Sequence, residues 1–184
     1  MTEYIGQTSF NTSPASLFMP LDEVDLALTE IGKVDLSMVK RKIMDAEEGQ
    51  GWDEAYASHV EHRYRRFLVM IKVNPTGSSV PTKDIDLFWH QHILDTRAYA
   101  RDCQNFFGYF LHHYPYFGMN GEEDERNLHS SFDDTKEFYL NAFGEDYTAP
   151  FNPGLEAGRC HKCSNYCHKC SSGCGMKCTQ CKSK

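Results

Sequence analysis

No run of 18 apolar residues occurs in the 184-residue sequence, so no helical membrane span is read from it. The opening residues MTEYIGQTSFNTSP lack a basic stretch followed by an apolar one, which argues against a secretory leader and for a cytoplasmic setting. No convincing set of period-two apolar segments is present, which argues against a sheet. Cysteine is nearly absent over most of the chain: of eight, only Cys103 precedes Cys160. Acidic residues are missing from Arg159 onward, where six basic residues stand. The formal charge of -7 therefore divides unevenly. The remainder holds 13 basic against 26 acidic residues, or -13, a balance that does not suit nucleic-acid binding.

What is present is helical. An irregular polar arm is expected over residues 1–19, and an all-α domain of about five to six helices over 20–144. The first helix is expected from about Asp22 to Ile31, before Gly32. A second is expected from Asp35, a good N-cap, to about Glu48. The strongest pattern runs from Trp52 to Val73, where Tyr56, Val60, Tyr64, Phe67 and Ile71 form one apolar stripe. Further helices are expected from Thr82, from Asp95 or Thr96 to Phe107, and from Glu122 to Phe143. Glu145 to Gly158 reads as a linker, followed by the cysteine-rich segment 159–184.

Chemistry-bearing side chains concentrate in PTKDIDLFWHQHILDTRAYARDCQNFFGYFLHHYPYFG. Asp86 and His90 are four residues apart and share a helix face. His90 and His92 are two apart and point in roughly opposite directions. A chain break at Leu94–Asp95 would be needed for His90, His92 and either His112 or His113 to converge. Imidazoles with a carboxylate suit zinc or non-haem iron, and His59 and His62 form a further candidate pair. The catalytic candidates are His90, His92, Asp86 and Cys103. The competing reading makes the histidines core residues bonded to Asp or Tyr, and Cys103 a buried thiol. The aromatic run Phe106, Phe107, Tyr109, Phe110, Tyr114, Tyr116 and Phe117 is expected to pack in the core rather than stack a ligand.

DIDLFWHQHILDTRAYARDC followed by FGYFLHHYPYFG resembles the glycine-rich domain-containing protein-like family. The resemblance covers about Trp52 to Gly144. It implies the compact form of that domain, without a glycine-rich part, and brings no specific activity with it. The cysteine-rich end is a departure from the family pattern.

That end spaces Cys160, Cys163, Cys167, Cys170, Cys174, Cys178 and Cys181 as C-x2-C-x3-C-x2-C-x3-C-x3-C-x2-C. Ordering roughly 22 residues costs about 20–40 kcal/mol. Tyr166 and Met176 return only about 2–3 kcal/mol each. A structural zinc site releases about 10–16 kcal/mol, so two or three ions would offset the cost. The short spacing favours a compact thiolate cluster similar to metallothioneins over a single finger. His161 and His168 are additional ligand candidates. Zn2+ is the expected metal and Cu(I) the second choice, with Zn or Fe for the helical domain. A disordered extension, a disulfide-bonded one and a small zinc module are the competing readings.

Three functions stay open. One is soft-metal sequestration, sensing or delivery through the thiolates, with the helical domain docking a protein partner. Another is a metal-dependent enzyme with a His/Asp centre acting on a small substrate. The last is an interaction module with structural histidines.

Overall fold

The computed structural model describes residues 21–153. Six helices follow one another, with no strand among the described residues: α1 (Leu21–Ile31), α2 (Ser37–Met44), α3 (Glu54–Val73), α4 (Lys83–Leu94), α5 (Thr96–Phe107) and α6 (Glu122–Phe143). The all-α expectation holds. The arm at 1–19 and the cysteine-rich segment lie outside the described residues.

The chain around α3 sets the architecture. Asp53 caps this helix by accepting the Tyr56 backbone N–H at 2.7 Å, which satisfies one of the donors a helix start leaves open. The expected stripe is buried at Val60, Tyr64 and Phe67, and burial continues through Leu68, Val69 and Met70. Helix α3 is therefore covered on more than one side. Helices α1, α2 and α4 pack against it, and α2 and α5 also pack against α4. Each large apolar side chain so buried contributes about 1.5–3 kcal/mol. Arg65 joins α3 to the end of α1 and the turn after it by donating to the carbonyls of Ile31 at 2.5 Å and Val34 at 2.9 Å.

Helix α2 is shorter than expected, and α4 lacks the side-chain cap that Thr82 suggests. Helix α2 stops at Met44 because Asp45 leaves helical geometry and its carboxylate accepts from the backbone of Glu47 and Glu48; a local Asx turn competes with continuing the helix. Thr82 precedes α4 as expected, yet its side chain does not cap it. Its hydroxyl is committed to the Asp84 carboxylate and to Arg63 instead.

Segment 145–153, expected as part of a linker, is packed in its first half. Tyr147 is fully buried and its hydroxyl accepts from Thr82 N–H at 3.2 Å and donates to Val80 at 3.1 Å. Glu145 pairs with Arg66 at 2.5 Å. Phe151 packs edge-on against Tyr56, with ring centroids 5.3 Å apart. Gly and Pro content signals irregular backbone, and irregular backbone can still be held by aromatic anchors.

Between α5 and α6 the chain takes 14 residues without a helix, 108–121. Gly108 starts this segment in left-handed geometry, φ +80°, the usual way to end a helix on glycine. Gly118 turns with φ +87°, and a Cβ there would lie 2.5 Å from Leu128. The Asp124 carboxylate accepts from the backbone of Gly118 and Asn120 at 2.8 and 3.1 Å, fastening the segment to the start of α6.

The aromatic run is core only in part. Phe106 is buried, whereas Tyr109, Phe110, Tyr114 and Tyr116 are exposed. The reason is that α5 ends at Phe107, so later aromatics belong to a surface segment and not to a helix face. No helix among the described residues is long and apolar enough to cross a membrane.

Candidate metal centre

Helix α4 turns Ile85, Phe88, Trp89 and His92 inward. This leaves Asp86 and His90 together on its outer side, one turn apart. Segment 108–121 brings His113 over them. Its inner anchor is Tyr99, whose hydroxyl donates to the Leu111 carbonyl at 2.6 Å. Trp89 backs the histidine: its ring meets the His113 ring edge-on at 4.6 Å, and its indole N–H donates to Tyr99 Oη at 2.9 Å.

Asp86, His90 and His113 thus present three ligand atoms to one point. His113 Nε2 lies 2.8 Å from Asp86 Oδ1 and 3.2 Å from His90 Nε2. His90 Nε2 lies 3.6 Å from Asp86 Oδ2. Ligands held 2.0–2.1 Å from a tetrahedral zinc stand about 3.3–3.4 Å from one another. The separation of the two imidazole nitrogens, 3.2 Å, is close to that edge, and the Asp86 carboxylate offers a different oxygen to each histidine. His113 is the shielded member, with 14% of its side chain exposed, and His90 the open one, at 47%. Two imidazoles and one carboxylate leave at least one position for a further ligand.

His92 is elsewhere. It is buried on the opposite side of α4, where Nδ1 faces Tyr64 Oη at 3.0 Å and Nε2 faces Asp102 Oδ2 at 3.4 Å. The break at Leu94–Asp95 does occur, with Asp95 accepting the Ala98 N–H, but it falls after His92, which stays on the buried face of α4. His112 also lies outside the group and packs on Phe110 at 4.9 Å. Cys103 is buried, and burial pushes its thiol above the ordinary range, the reverse of what an activated nucleophile needs. His59 lies between Tyr56 and Phe151, and His62 is exposed on α3. Cys160, Cys163, Cys167, Cys170, Cys174, Cys178 and Cys181, with His161 and His168, fall outside the described residues.

The His92 pair has a measurable signature. Burial lowers the His92 pKa from 6.5, and Asp102 only partly opposes it. The ring is therefore neutral in the fold. A tautomer donating from Nε2 to Asp102 and accepting the Tyr64 hydroxyl at Nδ1 satisfies every partner. Tyr64 stays protonated because burial raises it well above its ordinary value. A histidine whose pKa falls on folding binds more protons unfolded than folded. Its share of stability is complete above about pH 6.5 and is lost as pH drops below that value toward the lower folded pKa. Urea midpoints across this range should fall with acidity in the parent, and His92→Gln should flatten that slope.

The geometry acquires a family context from comparison with known proteins. A family profile, UCP032817-like, matches residues 34–134. The chain belongs to the UCP032817-like family. Glycine-rich domain-containing protein 1 of Arabidopsis thaliana is 30% identical over 162 residues, covering 79% of this chain and 19% of that protein. Glycine-rich domain-containing protein 2 of the same plant is 37% identical over 65 residues, 33% of this chain and 8% of that protein. The resemblance read from the WHQHILDT and HHYPYFG motifs is supported by both. This family member spans less than a fifth of the length of those relatives. No solved structure matches it. Asp86, His90 and His113 all fall inside the region the family profile matches.

Sequence reasoning had placed Asp86 with His90 and kept His113 as one of two alternatives. It missed Tyr64 as the partner of His92 and Arg63 as a buried cation. An arginine on an apolar stripe carries no sequence signal of what it will meet.

Proposed function

We propose that this is a metal-binding protein whose helical domain holds a divalent transition metal, zinc first and iron second, at Asp86, His90 and His113. The observation that carries this reading is the convergence of one ligand atom from each of the three residues, all within 4.8 Å of one another. Two ligands come from one helix turn and the third from a segment fastened independently by Tyr99 and Asp124. A metal there would draw on both imidazole nitrogens at once, whereas hydrogen bonding alone uses one lone pair against one N–H. The thiolates of the C-terminal segment form a second, softer metal store in this reading, supported by their number, their spacing and the five lysines among and after them. The position left open at the His/Asp site accommodates water, a substrate or a further protein ligand.

The test uses the full-length chain with its seven C-terminal cysteines replaced by serine, so that thiolates cannot mask the site. Elemental analysis and calorimetric titration should give one Zn2+ per chain. Outer-shell changes at metal sites cost about 10–100-fold in affinity, so removing a direct ligand by His113→Ala should cost at least the upper part of that range. Equal zinc uptake by the His113→Ala chain would overturn the reading.

A further inference from the structure

We infer that the exposed aromatic face of segment 108–121, with the acidic first turn of α6 beside it, docks an arginine-bearing segment of a partner protein. Docking there requires no metal at Asp86, His90 and His113. Five of the nine exposed large apolar side chains among the described residues lie on this segment: Tyr109, Phe110, Tyr114, Tyr116 and Met119. Single exposed apolar residues are ordinary, whereas a gathering of them marks an interaction surface. Residues 108–121 include no Asp, Glu, Lys or Arg. Rich in tyrosine and free of formal charge, the face has the composition of the centre of a protein interface.

The exposure has a local cause. Leu111 and His113 are part-buried, whereas Phe110, His112 and Tyr114 are exposed. Alternation of that kind sends every second side chain outward. Phe110 and His112 pack with ring centroids 4.9 Å apart, and Tyr114 meets Tyr116 edge-on at 5.7 Å. The face is also fixed in place. Phe110 rests edge-on against buried Tyr99 at 5.2 Å. Asn120 donates to the Tyr114 hydroxyl and the Tyr116 carbonyl, at 3.4 Å each, and to Asp124 at 3.1 Å. Side chains already held lose little freedom when a partner arrives.

Charge selects the occupant. The Asn120 bonds put both tyrosines against the start of α6, where Glu122, Glu123, Asp124 and Glu125 follow one another. Asp124 is committed to the backbone of Gly118 and Asn120. Glu122, Glu123 and Glu125 are exposed, and Arg126 opposes one of them, Glu122, at 3.7 Å. A guanidinium meets both halves of this surface, because it stacks on tyrosine faces and pairs with carboxylates through two N–H groups. An ammonium is a compact, strongly hydrated point charge and suits the aromatic half less well. Nucleic acid would bring phosphates, which these carboxylates repel. A second copy would bring the same carboxylates, and the -13 of the chain before Arg159 opposes its approach while drawing in a basic partner.

The probe is a synthetic peptide of alternating arginine and glycine, with a lysine–glycine peptide of the same length beside it. Each is titrated into the full-length chain and followed by calorimetry and by the tyrosine ring signals in NMR spectra. The arginine peptide should move the Tyr114 and Tyr116 signals and bind more tightly than the lysine peptide. Tyr114→Ala/Tyr116→Ala should weaken it about tenfold, the loss of two exposed cation–π contacts. Tyr114→Phe/Tyr116→Phe keeps both rings and should retain most of the affinity. Glu122→Gln/Glu123→Gln/Glu125→Gln changes only exposed side chains and should weaken binding about fivefold, the worth of a few surface ion pairs. Equal binding of the two peptides, unmoved by removal of the tyrosines, would reduce the effect to general attraction between opposite charges and overturn the inference. A dimer in sedimentation that Tyr114→Ala/Tyr116→Ala abolishes would also overturn it, since a second copy would then hold the face. So would Tyr114 and Tyr116 signals that move, with no peptide present, when Arg159 and the five lysines after it become glutamine, since the chain's own basic segment would then be the occupant.

Discussion

Replacing Arg63 with alanine should destabilise the domain by about 3–5 kcal/mol, the range for removing one partner of a buried ion pair. Only 8% of the Arg63 side chain is exposed. Its guanidinium donates to Asp84 at 2.5 Å, to the Thr82 hydroxyl at 3.1 Å and to the Tyr147 carbonyl at 2.6 Å, and it lies 5.7 Å from the Tyr147 ring. One fork thus ties α3 to the start of α4 and to the segment after α6. Burial by itself would raise the Asp84 pKa, yet the Thr82 hydroxyl and Arg63 hold it below the usual carboxylate range. Without the arginine, the part-buried Asp84 carboxylate loses its charged partner and the Tyr147 carbonyl loses the guanidinium that donates to it. Arg63→Lys keeps the charge but cannot donate in three directions from a planar fork, so it should recover only part of the loss. Urea unfolding of the three chains decides it; a loss below about 1 kcal/mol in Arg63→Ala would place the pair in the weak class of exposed salt bridges.

Trp89→Ala should cost a similar amount, about 3–5 kcal/mol, as large aromatic truncations in cores do. Trp89 is 6% exposed, packs edge-on against Phe67 at 5.5 Å and donates to Tyr99. It also forms the wall behind His113. The alanine chain should therefore lose metal affinity as well as stability, by about tenfold, the lower end for residues that orient a ligand. Trp89→Phe retains the wall and loses only the indole donor, worth about 1 kcal/mol. Its metal affinity should stay near that of the parent. Thermal unfolding and zinc titration on the same samples separate the two effects. Equal affinities in Trp89→Ala and the parent would remove Trp89 from any part in positioning His113.

Much of this fold was legible in the sequence because its helices are strongly marked. The stripe on α3, the Asp95 restart and the Gly108 and Gly144 stops each reflect local chemistry that acts over a few residues. The 108–121 segment was harder. Its aromatic richness suggested core, but its course is set by Gly108, by the Tyr99 bond to Leu111 and by Asp124 gripping Gly118 and Asn120, all contacts between residues distant on the helix pattern. The site followed the same division. Asp86 and His90 pair by helical spacing alone. Choosing His113 over His112 required the backbone course of that segment, and excluding His92 required knowing that α4 buries that face. Periodicity also could not show that Tyr147 and Phe151 carry the packed domain past Gly144.

The most direct measurement is anomalous diffraction at the zinc edge from crystals of the all-serine chain grown with one equivalent of Zn2+. The expected result is a single peak about 2.0–2.2 Å from Asp86 Oδ1 or Oδ2, His90 Nε2 and His113 Nε2. A peak away from these three side chains, or none at them with zinc bound in solution, would contradict the assignment of the metal to this site.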